Sequence, residues 1–318
     1  MKEVISSAPG KVILFGEHAV VYGQPSLAGA IDLRVFVKVT ENKAKKIKMI
    51  SDNCMETVDF NELKPEGRFR YVKKALDIFF NEIIQVCRGV TISINSELPS
   101  ASGLGSSAAV TVATMSALSR FFGAELKKEE IARLSHRVEL EVQGAASPTD
   151  TLTSTFGGIL FIEPLKKKYS RLSCSSLPLV IGYTGDPRST AELVRKVREL
   201  RDKYPDIIDG IILQIGEITK KAKKCLEGGE LHHLGELMNI NHGLLESLGV
   251  STEKLSRLVY ISRKAGAKGA KLTGAGGGGC IIAYTPEKEE NVIKAIAKEK
   301  CKPFRAPITV DGVRIENF

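Results

Sequence analysis

Tryptophan is absent from the 318-residue chain, and aromatic residues of all kinds make up only 6% of it. A single-stranded nucleic-acid surface needs aromatics interleaved with basic residues so that bases can stack, and this shortage argues against one despite a net charge of +9. The lysine runs KAKKIK (43–48), KKK (166–168) and KKAKK (220–224) contain no aromatic residue and read as solvated faces. No apolar run approaches the roughly 18 residues of a membrane span. Lys2, Glu3, Lys11 and Glu17 also interrupt the N-terminus before a signal-peptide pattern develops. The expectation is a cytoplasmic protein with neither a membrane nor a nucleic-acid partner. Cysteines are few: Cys54, Cys87, Cys174, Cys225, Cys280 and Cys301 are scattered, with no CxxC pair and no cysteine-histidine cluster at zinc spacing. They read as reduced structural thiols.

What is present is ordinary globular material, 43% hydrophobic and 26% charged, in a chain long enough for two domains with sizeable cores. The excess of positive charge favours anionic ligands such as phosphates or carboxylates. β-Branched runs at 12–15 and 34–40 predict strands joined through Gly23 and Pro25, and residues 41–69 read as a polar loop-and-strand region. Helical spacing follows from Tyr71 to Val86, and alternation from Val90 to Ile94 predicts a strand. Ala108–Phe122 is apolar almost all round and stops at Gly123, as a buried helix would. A second helix, Lys127–Val142, carries Ile131, Leu134, Val138 and Val142 on one stripe and ends at Gly144, before a polar turn ASPTDT and a strand near Gly158–Ile162. Prolines, lysines and serines at 163–178 predict a domain boundary near 175. The second half restarts with a strand at 178–184, helices at 189–204, 207–226, 231–248 and 254–265, and strands at 280–284 and 308–315, an α+β alternation.

Three glycine-bearing motifs carry the chemistry. SGLGSSAA (102–109) precedes the buried helix, so glycines would let backbone amides approach an anion at that helix's electropositive end. It lacks the GK[ST] of a Walker loop and is not GxGxxG. TGAGGGGC (273–280) places five glycines in six positions ahead of the strand CIIAY, which leaves room for a close approach. PGKVILFGEHAVVYG (9–23) puts Lys11 at one end of a buried strand and Gly16, Glu17 and His18 in the turn at the other.

Taken in this order, the motifs resemble those of the GHMP kinase superfamily, and PGKVILFGEHAVVYG, KLTGAGGGGC (271–280) and NHGLLESLGVS (241–251) are most similar to its mevalonate kinase family. The resemblance is weakest over 41–90 and after 285. It implies a two-domain α+β fold, with a ribosomal protein S5 domain 2-like ATP-binding domain over 1–175 and a ferredoxin-like domain over 176–318. ATP and mevalonate would lie in the cleft between them. It further implies phosphorylation of the mevalonate 5-hydroxyl, a Mg2+ ion, and a homodimer. By the same resemblance Asp150 would be the catalytic base with Lys11 beside it. Ser96, Ser102, Gly103, Leu104, Gly105, Ser106, Ser107 and Ala108 would contact ATP. Ser107 and Glu139 would ligate magnesium, and Glu17, His18, Thr190 and Ala275 would lie on the substrate side. Helical geometry puts Glu139 and Glu141 on opposite shoulders of the same stripe and does not choose between them; the choice of Glu139 belongs to the resemblance. Where the family commonly has proline and glycine before GLGSS, this chain has Ser100, Ala101 and Ser102, and where it has PSGVD this chain has Ala146, Ser147, Pro148, Thr149 and Asp150.

Overall fold

The computed structural model describes residues 2–52, 54–85, 88–99, 102–144, 146–173, 177–186 and 190–316. Val86, Cys87, Ser100, Ala101, Cys174, Arg188, the helix start expected at Ser189 and the boundary expected near 175 lie outside the described residues.

The first half contains β1 (Glu3–Phe15), β2 (Ser26–Glu41), β3 (Ile47–Ser51), β4 (Cys54–Val58), α1 (Arg70–Ile78), β5 (Val90–Ser96), α2 (Ser106–Phe122), α3 (Lys128–Gln143), α4 (Thr149–Phe156), β6 (Ile159–Glu163) and β7 (Lys168–Leu172). The second contains β8 (Leu179–Tyr183), α5 (Thr190–Lys203), α6 (Pro205–Gly228), α7 (His232–Ser247), α8 (Glu253–Lys264), β9 (Gly269–Thr273), β10 (Cys280–Tyr284), α9 (Glu289–Lys298), β11 (Lys302–Arg305) and β12 (Arg314–Glu316).

The first sheet runs β12-β1-β2-β5-β3-β4. β2 changes partner along its length: residues 35–41 pair with β5 and residues 26–29 with β6. Val35, Val37 and Val39 alternate inward as a half-buried strand requires. α2 crosses this core buried on nearly every side; its small residues allow close packing, and the hydroxyls of Thr111 and Thr114 are satisfied by the carbonyls four residues back at 2.8 and 2.7 Å.

The second sheet, β11-β8-β10-β9, is antiparallel throughout. Its strands divide two cores by alternation. Ile281 and Ala283 face a cluster with α8 and α9, while Cys280, Ile282 and Tyr284 join the cluster that continues into the first sheet.

Several expectations need correction. ASPTDT is not a free turn: from Thr149 it forms α4, although threonines are poor helix formers. Tertiary burial wins, with Thr153 and Thr155 hydroxyls bonded to carbonyls four residues back, both at 2.7 Å. The helix expected over 71–86 ends early and continues as a π-helical turn, Phe79–Ile84, which lets consecutive Phe79 and Phe80 both reach the Phe122 ring. The lysine-rich stretch after 163 includes the exposed edge strand β7, where Lys168 and Arg171 discourage pairing with another chain. Residues 314–316, assigned with the second half, return to pair with β1 in the first sheet. β9, α9 and β11 went unread in the sequence.

Candidate active site

β1 organises the site. Its Gly10 passes so close to the serine-glycine loop that a Cβ would lie 2.8 Å from the Leu104 carbonyl, which accepts the Lys11 amide at 2.8 Å. Gly105, at φ +78, ends the loop, and a Cβ there would meet Lys11 Cγ at 2.8 Å. The absence of side chains at these two positions lets strand, loop and lysine stem pack against one another. α2 then opens with no side chain capping its first turn, so its electropositive end faces outward from the loop.

Lys11, only 4% exposed, places Nζ 3.0 Å from Asp150 Oδ1; the Asp150 side chain keeps 30% exposure. Ser107 Oγ donates to Glu139 Oε1 at 2.8 Å. Burial pushes the Glu139 carboxyl up to about 8, with the charge of Asp150 adding to the rise and Ser107 and Lys11 opposing it. Beside Asp150 and away from water, Glu139 is therefore mostly protonated at neutral pH, and a bound cation would favour its carboxylate form. Glu141 is excluded from this site because it faces solvent and pairs with Lys74 at 2.6 Å and Arg137 at 2.7 Å.

The far end of β1 reaches the second sheet. Thr273 Oγ1 accepts the Ile13 amide and donates to the Ile13 carbonyl, each at 2.9 Å, so the glycine loop of 274–279 starts beside β1. His18 stands in a γ-turn of positive φ (φ 59, ψ −45), closed by Ala19 N donating to Glu17 O at 2.6 Å. Its Nε2 lies 2.9 Å from the Ala275 carbonyl, an acceptor only, so that nitrogen carries the proton.

Comparison with known proteins places the chain in a family. The family descriptions GHMP kinases N terminal domain and GHMP kinases C terminal match residues 70–158 and 222–302. The mevalonate kinase of Thermococcus gammatolerans is 47% identical, over 98% of each chain. The chain belongs to the mevalonate kinase family. Among solved structures, Methanococcus jannaschii mevalonate kinase superposes with a TM-score of 0.87 at 37% identity, covering 97% of this chain and 99% of that one. L. major mevalonate kinase, solved with R-mevalonate, gives 0.84 at 27% identity, covering 98% and 97%.

Within this mevalonate kinase fold the remaining candidates fall unevenly. Ser102 is buried and its hydroxyl bonds the Pro99 carbonyl at 2.8 Å, while Gly103 turns the loop at φ +79. Ser106, Ser107 and Ala108 form the first turn of α2. Ser96 closes its own turn instead, accepting the Leu98 amide at 3.2 Å. Thr190 opens α5 and is exposed. Glu17 lies on the substrate side in sequence, but its carboxylate is fully buried, bonded to Lys271 and, at 3.2 Å, to Asn241. The sequence reading gave no role to Lys271 or Asn241. The available signal was a lysine in the middle of an otherwise apolar strand, a residue that is almost never buried without a partner.

Proposed function

We propose that this chain transfers the γ-phosphoryl group of ATP to the 5-hydroxyl of (R)-mevalonate, giving 5-phosphomevalonate and ADP on the route to isoprenoids. The observation that carries the reading is the 3.0 Å contact between Lys11 and Asp150, adjoining both the Ser107–Glu139 pair and the uncapped start of α2. Phosphoryl transfer demands alignment and charge neutralisation more than covalent help from the protein, because its transition state spreads negative charge over equatorial oxygens. These residues meet that demand. The amides of Ser106, Ser107 and Ala108, with the loop Ser102–Gly105, hold the ATP phosphates, and Ser96, at the end of β5, is on the nucleotide side. Lys11 stabilises the charge that develops on them.

Asp150 orients the acceptor hydroxyl and takes its proton. The Lys11 contact is to Oδ1, and Asp150 keeps part of its surface open toward solvent. His18 and the Ala275 backbone line the acceptor side, with Glu17 and Thr190 in support.

The donor set suits magnesium: hard oxygens at Ser107 and Glu139, a buried carboxyl whose ionised form a cation would favour, and no cluster of three or more His, Cys, Asp or Glu among the described residues that would form an all-protein cage. Ser107 and Glu139 would hold the ion, which would supply neutralisation of the phosphate oxygens. The sparse cysteine pattern, with no CxxC pair in the sequence, fits a cytoplasmic setting, and a homodimer follows from the family resemblance, to be checked by light scattering. An ADP-release screen tests the acceptor, run with and without magnesium, across mevalonate, phosphomevalonate, homoserine and shikimate. Release that depends on mevalonate and on magnesium is expected; release with another acceptor alone would overturn the assignment.

A further inference from the structure

Glu17 and Lys271 form an ion pair with no solvent exposure on either side chain, between the turn after β1 and the strand β9. Burial works against both charges, raising the Glu17 carboxyl and lowering the Lys271 ammonium. Buried pairs of this kind can often be replaced by apolar residues of similar volume without loss of stability, so stability alone does not account for this one.

Its surroundings suggest what it does. β9 is an edge strand of the second sheet, and α7 covers its free side. Asn239 Oδ1 accepts the Ala270 amide at 3.1 Å, and the Leu272 amide points to His242 Nδ1 at 3.4 Å. Between them Asn241 reaches past the strand to Glu17 Oε2 at 3.2 Å, while Lys271 Nζ also donates to the Leu272 carbonyl at 2.7 Å. The anchored Glu17 is followed directly by His18 in its strained γ-turn and preceded by Gly16 at φ +97, where a Cβ would meet the Pro25 carbonyl at 2.5 Å. A turn that no residue prefers is thus held by a buried anchor whose partners come from β9 and from the helix α7 that covers it. Strain of this sort persists only where the surroundings over-determine it.

We propose that Lys271 and Asn241 are positioning residues of the acceptor pocket: they fix Glu17 in the interior, Glu17 fixes the γ-turn, and the turn sets His18 against the Ala275 carbonyl, so that the first-sheet and second-sheet sides of the pocket keep one geometry. The inference rests on the acceptor side assigned under the proposed function. Neither residue touches substrate, and both act through His18. The nucleotide side, held by the α2 loop and Lys11, is independent of them.

The test is the double variant Glu17→Leu/Lys271→Met, which removes both charges together, with Asn241→Leu as a milder second variant. Steady-state kinetics give the mevalonate KM, and titration with MgATP alone gives the nucleotide Kd. The double variant should melt within about 5 °C of the parent, as apolar replacement of a buried pair permits. Its mevalonate KM should rise about tenfold or more, as expected for a displaced positioning group, while the MgATP Kd stays within about twofold. Asn241→Leu should raise the same KM by about fivefold, the worth of one hydrogen bond. A folded double variant with the parental mevalonate KM, or one that weakens acceptor and nucleotide equally, overturns the inference. Should the double variant fail to fold, Asn241→Leu decides by the same split. A parent protein that releases no ADP with mevalonate refutes the proposed function itself, an outcome distinct from any of these.

Discussion

Replacing Lys11 with methionine isolates charge from packing. The Lys11 stem fills the space that Gly105 leaves open, with Cγ 2.8 Å from where a Cβ on that glycine would stand, and methionine keeps a stem of similar length there. What is lost is one ammonium 3.0 Å from Asp150, at the place where charge develops in transfer. Removal of a single preorganised charge-stabilising group typically costs about 10² to 10³ in kcat, or about 3 to 4 kcal/mol, and that is the expected loss in turnover at saturating MgATP and mevalonate. The effect on stability should be far smaller. The Asp150 side chain keeps 30% exposure, so the stranded carboxylate remains partly hydrated. The penalty should be about 1 kcal/mol instead of the several kcal/mol of a fully buried broken pair. Calorimetry should then show Tm falling by only about 2 °C for a chain of this size. Coupled ADP release and a thermal melt on the same preparation suffice. A folded Lys11→Met protein with turnover within about fivefold of the parent would refute the assignment of Lys11.

Glu139→Gln removes a carboxylate that could ligate the ion and should raise the magnesium needed for half-maximal ADP release by about tenfold or more, in a titration at fixed ATP; an unchanged requirement would argue against that ligand. His242 gives a pH prediction. Burial first, and then Arg263 and Lys271, lower its folded value from 6.5 to about 4 against the opposing pull of Glu246. As pH falls the unfolded chain therefore protonates first, and stability present above about 6.5 is lost down to about 4, by about 3 kcal/mol. Urea melts at about pH 7 and about pH 4 should show a shallower acid loss in His242→Gln, and equal losses would contradict the account. Arg34, buried, donates to Ser7 Oγ at 2.7 Å and to the Gly312 carbonyl at 2.7 Å, tying the returning tail to the first sheet. Arg34→Met should cost on the order of 3 kcal/mol through orphaned acceptors. Hydrogen exchange should then accelerate first at Val313–Glu316, and protection equal to the parent would rule out the clasp.

Much of the site was legible as sequence because its parts are local. Gly105, Ser107 and the buried start of α2 are contiguous, and Lys11 sits one residue after a glycine on a run of apolar residues, so the loop, the helix and the strand could be read without knowing where they meet. Glu139 was not legible by geometry alone. It and Glu141 flank the same apolar stripe on opposite shoulders, and only the packing of α3 against α2 and α4 buries one and exposes the other. The helical state of Thr149–Phe156 was hidden for a related reason: local propensity favours a turn, and burial against α2 and β1 reverses it. Lys271 and Asn241 carry no signal of their partner because Glu17 lies more than 200 residues away in the chain, a separation of 224 from Asn241 and 254 from Lys271. The return of β12 to β1 depends on the equally remote Arg34 contact to Gly312.

The most direct test of the central claim compares the parent with Asp150→Asn for mevalonate-dependent ADP release in the presence of magnesium, with phosphorus NMR locating the new ester. The parent should form one 5-phosphomevalonate per ADP, and Asp150→Asn should fall by about 10² or more while binding ATP as before. Parental turnover in a folded Asp150→Asn protein, or a phosphate carried elsewhere than the 5-hydroxyl, would contradict it.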